Sequence, residues 1–234
     1  MRGSARKLVV AIGESLCYAA GIALSGFFLS QLALGEVQRR ADLAAFENEA
    51  VNLSEAVAAG RASMPIDGLA PPDTELWSAK RISDYQASLQ AELPPVLGVL
   101  RAPGLGLEVP VYATDSELTM DRGAGVIDGM AYPHEGGNIG IAGHRDGYFR
   151  ALKDIQVGDL LELQTLLGPK RFRVSETRIV EIADTQVLDD TDQQTLTLVT
   201  CYPFYYVGHA PQRFIVIATL DNTFADVNRN LRRN

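Results

Sequence analysis

"TLTLVTCYPF" spans residues 195–204. Threonine and leucine alternate up to a cysteine, and Pro203 stops the run two residues later. Alternation with period two is the pattern of a β-strand. Thr195, Thr197, Val199 and Cys201 then share one face, and Leu196, Leu198 and Thr200 share the other. Cys201 falls at the strand's C-terminal rim. A thiol there either packs as a small hydrophobe or is presented as a nucleophile.

The chain around this strand is β-rich from Val96 onward. "VLGVLRAPGLGLEVPVY" reads as two short strands about the turn "APGLG". "GNIGIAGHRDG" is a strand ending at Gly143 and His144, and "YFRALKDIQVGD" is a helical turn followed by a loop. "LLELQTLLGPKRFRVSETRIVEI" reads as a hairpin turning at Gly168-Pro169, and "RFIVIATL" is the last strand. Short strands separated by glycine and proline signals predict a mainly β fold, a closed or nearly closed barrel.

Upstream the pattern is helical. "ELWSAKRISDYQASLQAEL", residues 75–93, spaces Leu76, Ile82, Tyr85, Leu89 and Leu93 for an amphipathic helix that Pro94-Pro95 ends. Residues 36–60 predict another, with Gly60 as its cap. Between them "RASMPIDGLAPPDT" is a linker. Together, residues 36–95 read as a stalk that spaces and orients the β domain.

The N-terminus is basic ("MRGSARK") and precedes an apolar run over residues 8–35, uncharged from Ser15 to Gly35. That is long enough to cross a bilayer core, and the basic flank predicts a cytoplasmic N-terminus with the rest of the chain outside. The rival reading is a cleaved signal peptide ending at "ALG", although the run exceeds the usual apolar region of one. The domains are therefore expected as 1–35 tip and membrane anchor, 36–95 stalk and linker, 96–222 β-barrel, and 223–234 tail.

Of 234 residues 47% are hydrophobic, enough to build a core, and the formal net charge of −8 argues against a nucleic-acid partner. The two cysteines, Cys17 and Cys201, are separated by the predicted membrane, so Cys201 is expected as a free thiol. No spacing of metal ligands occurs, and no cofactor is expected. The eleven-residue segment "YPFYYVGHAPQ" can return the chain antiparallel and set Arg213 beside Cys201. With His144 at a neighbouring strand end, the three supply a nucleophile, an acid/base and an oxyanion donor. A binding module with an inert Cys201 and a thiol hydrolase remain open on these residues. A redox role lacks a resolving cysteine.

"TLVTC" (197–201) resembles the TLxTC signature of sortases, the membrane-anchored cysteine transpeptidases of bacterial surfaces. "GNIGIAGHRDGYFRAL" (137–152) is similar to the segment around their histidine, and "APQRFIV" (210–216) to their arginine-bearing strand. The similarity covers about residues 96–220, in family order, and looks most like class D. The resemblance implies an eight-stranded barrel. It implies that Cys201 attacks the Thr–Gly bond of an LPxTG-type signal to form a thioester. His144 would protonate the leaving amine and deprotonate the incoming one, and Arg213 would hold substrate carbonyls or the oxyanion. The partners implied are a sorting-signal-bearing surface protein and an amine acceptor, in peptidoglycan or on a pilin lysine. Thr200 would shape the groove, and the Tyr202 amide would be a second oxyanion donor. Asp146 is read as a turn residue that can orient His144 or hold Arg145. Arg145 is expected in a structural ion pair, His134 and His209 as loop residues, and the acidic run 188–192 as a solvated turn.

Overall fold

The computed structural model describes residues 24, 55–56, 62–66, 68–205 and 208–221. Residues 53–234 form one compact unit, and of the other, residues 1–52, only Leu24 is described. Apart from Leu24 and residues 55–56, the predicted anchor and the first stalk helix with Gly60 lie outside the described residues, as do residue 222 of the expected barrel and the tail 223–234. Among the described residues no helix is long and apolar enough to cross a membrane.

Eight strands close into a barrel: β1 (Val96–Ala102), β2 (Leu107–Tyr112), β3 (Ala124–Val126), β4 (Asn138–Ala142), β5 (Leu160–Thr165), β6 (Gly168–Glu181), β7 (Thr195–Tyr202) and β8 (Gln212–Leu220). Their order around the barrel is β1-β2-β3-β4-β7-β8-β6-β5. The pairings are antiparallel except β2 with β3 and β4 with β7. Closure leaves no free sheet edge. The expected barrel is therefore present, and every strand named from the sequence forms. The short strand β3 and the helix before it carried no periodic signal.

Period-two burial builds the core. Leu100, Ile139, Ile141, Leu161, Leu196 and Leu198 are fully buried, as is the Phe172 ring. Burying such a side chain contributes roughly 1.5–3 kcal/mol each. The outer face of β4 and β7 is covered too. Asn138, 3% exposed, donates its amide to the carbonyls of Val187 and Asp189 and accepts from the Thr197 hydroxyl at 2.7 Å. Its backbone N–H donates to Asp190 at 3.3 Å. One buried amide thus pins the β6–β7 loop across the sheet, and the acidic run 188–192 supplies part of that clamp.

Two local expectations shift. In the β5–β6 hairpin Thr165 pairs with Gly168, so the turn is Leu166-Leu167 and Gly168 opens β6. The Thr165 hydroxyl closes that turn, accepting from Leu167 N–H and donating to Gly168 carbonyl, and Gly168 takes the positive φ of 114° that ends it. The helix expected over 75–93 forms only as α1 (Ala79–Ser88). It starts where the Ser78 hydroxyl accepts from the Arg81 N–H. A second helix, α2 (Glu117–Arg122), is capped by Ser116 and has Glu117 in its first turn and Arg122 in its last, complementing its dipole.

Asn138→Ala should lower stability by about 1–3 kcal/mol, because it leaves the buried Thr197 hydroxyl without a partner and frees the β6–β7 loop. Urea denaturation reads this as a lower midpoint. An unchanged midpoint would contradict the clamp.

Candidate active site

The site follows from register. β4 and β7 pair in parallel from Asn138↔Thr195 to Ala142↔Val199. The pairing continues one step, with Gly143 N–H donating to Val199 carbonyl at 3.1 Å and the Thr200 hydroxyl donating to Gly143 carbonyl at 2.7 Å. Carried one residue further, the register sets His144 beside Cys201. On the other side of β7, Cys201 is the Cα partner of Arg213. Thiol, imidazole and guanidinium thus stand in one row across β4, β7 and β8, with neighbouring strands about 4.8 Å apart. They share the outer face of the sheet, since Leu196, Leu198 and Val216 of the alternate positions belong to the core.

Cys201 is a free, half-buried thiol. Arg213 donates through Nη1 to the carbonyl of Gln212 at 3.0 Å, which holds the guanidinium near the end of β8. Gly143 lets the strand end pass the Phe149 ring, since a Cβ there would sit 2.8 Å from a ring carbon. Tyr202 turns its side chain into a cluster with Phe204 and Phe214, and it pairs with Gln212 across β7 and β8. Thr200 does not line the groove. It is 2% exposed, and its hydroxyl is spent on Gly143. Its place is to lock the His144 segment to the cysteine strand.

The residues around His144 were not legible from spacing. The imidazole is 14% exposed, and its Nε2 lies 3.4 Å from the Glu117 carboxylate and 3.6 Å from that of Asp121. At these distances the carboxylates would pair with a protonated imidazole, and Nε2 makes no hydrogen bond. Burial, then the nearby Arg81 charge, pushes His144 below the ordinary histidine range against the pull of Glu117, Asp121 and Asp146. Arg81, on α1, contacts both Asp121 and Asp146. Burial raises the Asp121 carboxyl and outweighs Arg81 there. At Asp146 burial acts in the same sense, but Arg81 and the Ser78 hydroxyl together overcome it and hold the carboxyl below the usual range. Asp146 therefore holds Arg81, not Arg145.

Arg145 instead donates to the carbonyls of Pro203 and Gly208, tying the loop after Cys201 to the turn after His144. Arg150 adds a bond to the Phe204 carbonyl and stacks over Tyr205. His209 is exposed, and His134 stacks on Tyr132, away from the row. Among the described residues, Glu117, Asp121 and His144 bring donor atoms within 4.8 Å of one another. Arg81 already neutralises Asp121 there, so the trio is built as an ion-pair cluster.

A closed barrel with a thiol, an imidazole and a guanidinium abreast on its outer face defines a class: cysteine enzymes that work by acyl transfer. A family model described as the sortase domain matches residues 100–221. Sortase D of Bacillus subtilis (strain 168) is 34% identical over 132 residues, which cover 56% of this chain and 67% of that protein. In fold, a sortase D5 transpeptidase of Clostridium perfringens aligns with TM-score 0.50 and 24% identity, covering 62% of this chain and 89% of its own. Sortase C1 of Streptococcus agalactiae aligns with TM-score 0.51 and 19% identity, covering 61% and 86%. The chain belongs to the sortase family, and it is a cysteine transpeptidase.

The buried imidazole makes stability depend on pH. The unfolded chain protonates His144 near pH 6.5, and the folded protein only at lower pH. Folding expels that proton, so stability falls as pH drops from the unfolded value to the folded one and the loss is complete below it. His144→Gln should therefore lose less stability than the wild type between about pH 7 and about pH 5. Equal losses in urea midpoints would contradict an imidazole buried in its neutral form.

Proposed function

We propose that this sortase is a membrane-anchored transpeptidase acting on an LPxTG-type sorting signal. The observation that carries the reading is the pairing of Cys201 with Arg213 across β7–β8, with His144 two register positions past the end of β4. The Cys201 thiol attacks the threonine carbonyl carbon, its proton passes to the neutral His144 imidazole, and a C–S bond forms. The carbonyl electrons move to an oxyanion facing Arg213 and the backbone N–H of Tyr202. As the carbonyl re-forms, the Thr–Gly C–N bond breaks and His144 gives its proton to the leaving glycine amine. The thioester then meets an amine of the acceptor, a peptidoglycan peptide or a pilin lysine. His144 removes the amine's proton, a new amide forms, and Cys201 leaves as thiolate.

The three side chains suit these steps. A thiol is acidic enough to give its proton to a neutral imidazole, so no third residue needs to activate that base. An arginine keeps its charge throughout and presents a planar fork to carbonyl oxygens. The apolar run over residues 8–35 and its basic flank support an anchor in the bacterial cytoplasmic membrane, with the barrel on the outer side. Surface proteins bearing the sorting signal would then reach the groove as they emerge.

The test is turnover of a fluorogenic LPxTG peptide by the full-length protein, with and without an added amine. Cys201→Ala should abolish cleavage, and Arg213→Lys should lower kcat/KM by about 10²–10³. The amine should divert product from the free acid to the amide. Cleavage that persists in Cys201→Ala would end this reading, and indifference to every amine would make the enzyme a hydrolase.

A further inference from the structure

Arg81 lies on α1, upstream of the barrel, yet its side chain is only 11% exposed. Its Nη1 meets the Asp121 carboxylate of α2, and its Nε donates to Asp146 Oδ1 at 3.2 Å. Asp84, one turn along α1, is 3.7 Å from Nη1. The Ser78 hydroxyl, which caps α1, also donates to Asp146 Oδ2 at 3.1 Å. Asp146 is two residues beyond His144, and Asp121 faces the His144 Nε2 at 3.6 Å. Arg81 is therefore joined to the imidazole by two routes, one through each carboxylate.

We propose that Arg81 is a positioning residue of the active site: its guanidinium spans Asp121 and Asp146 and so fixes both the setting and the charge state of His144. The inference rests on the reading of His144 as the acid/base, but its first measurement needs no substrate.

Arg81 acts on His144 through charge. His144 is faced by Arg81 from α1, by Glu117 and Asp121 from α2, and by Asp146 from its own turn. Cys201 and Arg213 stand beside it in register on β7 and β8. The three carboxylates favour the imidazolium, and Arg81 opposes them. A buried guanidinium cannot shed its charge, so it is held by the carboxylates it satisfies, and those carboxylates are held by it. Removing it frees Asp121 to pair with His144 and loosens Asp146 and the turn that carries the imidazole. α1 is then part of the catalytic unit and not a spacer.

The test is an NMR pH titration of the full-length protein with labelled histidine, the His144 signal being assigned with His144→Gln. In Arg81→Gln the His144 imidazole should titrate at higher pH than in the wild type. Arg81→Lys keeps the charge, so His144 should titrate near its wild-type position. A lysine cannot span both carboxylates, and kcat should fall on the order of 10-fold to 100-fold with KM unchanged. A folded Arg81→Gln protein whose His144 titrates at the wild-type pH would overturn the proposal. Should that variant not fold, a wild-type kcat in Arg81→Lys would overturn it instead. If the titration shifts while the wild type turns over no LPxTG peptide, the substrate reading fails and the role of Arg81 stands.

Discussion

The parallel pairing of β4 with β7 is the constraint on which the site depends. A parallel pair cannot be joined by a tight turn, so the chain leaves β4 at His144 and completes β5 and β6 before it returns as β7. Two strand ends far apart in sequence then finish at the same level. The Thr200 hydroxyl on the Gly143 carbonyl fixes that level from inside the sheet. The antiparallel return of β8 supplies Arg213 on the far side of Cys201. Slipping β7 by one residue would turn the thiol into the core and Thr200 outward. The buried Leu196 and Leu198 oppose such a slip, because it would also expose them.

The row of His144, Cys201 and Arg213 was legible because it lies at the ends of strongly patterned strands. Alternation in residues 195–201 gave both the strand and the face of Cys201, and an eleven-residue return was enough to place Arg213. His144 followed a short apolar run punctuated by glycine. The surroundings of His144 were not legible, for a different reason. Glu117 and Asp121 lie on a six-residue helix, too short to carry a period, and they reach His144 only through tertiary packing. Arg81 sits on a helix whose apolar spacing says nothing of what its polar face touches. Thr200 was placed on the correct side of the strand, opposite the thiol. That side is the buried one, which makes it a brace for the histidine segment and not a groove wall.

The electrostatics divide the site into two halves. On the β8 side a permanent cation, Arg213, is the strand partner of Cys201. On the β4 side the imidazole sits among three carboxylates and one guanidinium, all but Glu117 substantially buried. Burial strengthens each of these interactions by lowering the local dielectric, so small changes in any one are felt at His144. The helix α1 contributes the guanidinium, which makes the segment before the barrel part of the chemistry. Arg145 and Arg150 brace the loop beyond Cys201 by holding its carbonyls, which ties that loop to the segment after His144.

The proposed role of Cys201, set by this register, is that of nucleophile in an acyl transfer. Its most direct measurement is the intact mass of the full-length protein, quenched in acid during reaction with an LPxTG peptide and without an amine acceptor. The account predicts a mass increase equal to the acyl fragment ending in threonine, borne by the peptide that contains Cys201 and released by hydroxylamine. A folded protein that cleaves the peptide with no adduct on Cys201, or with one on another residue, would contradict it.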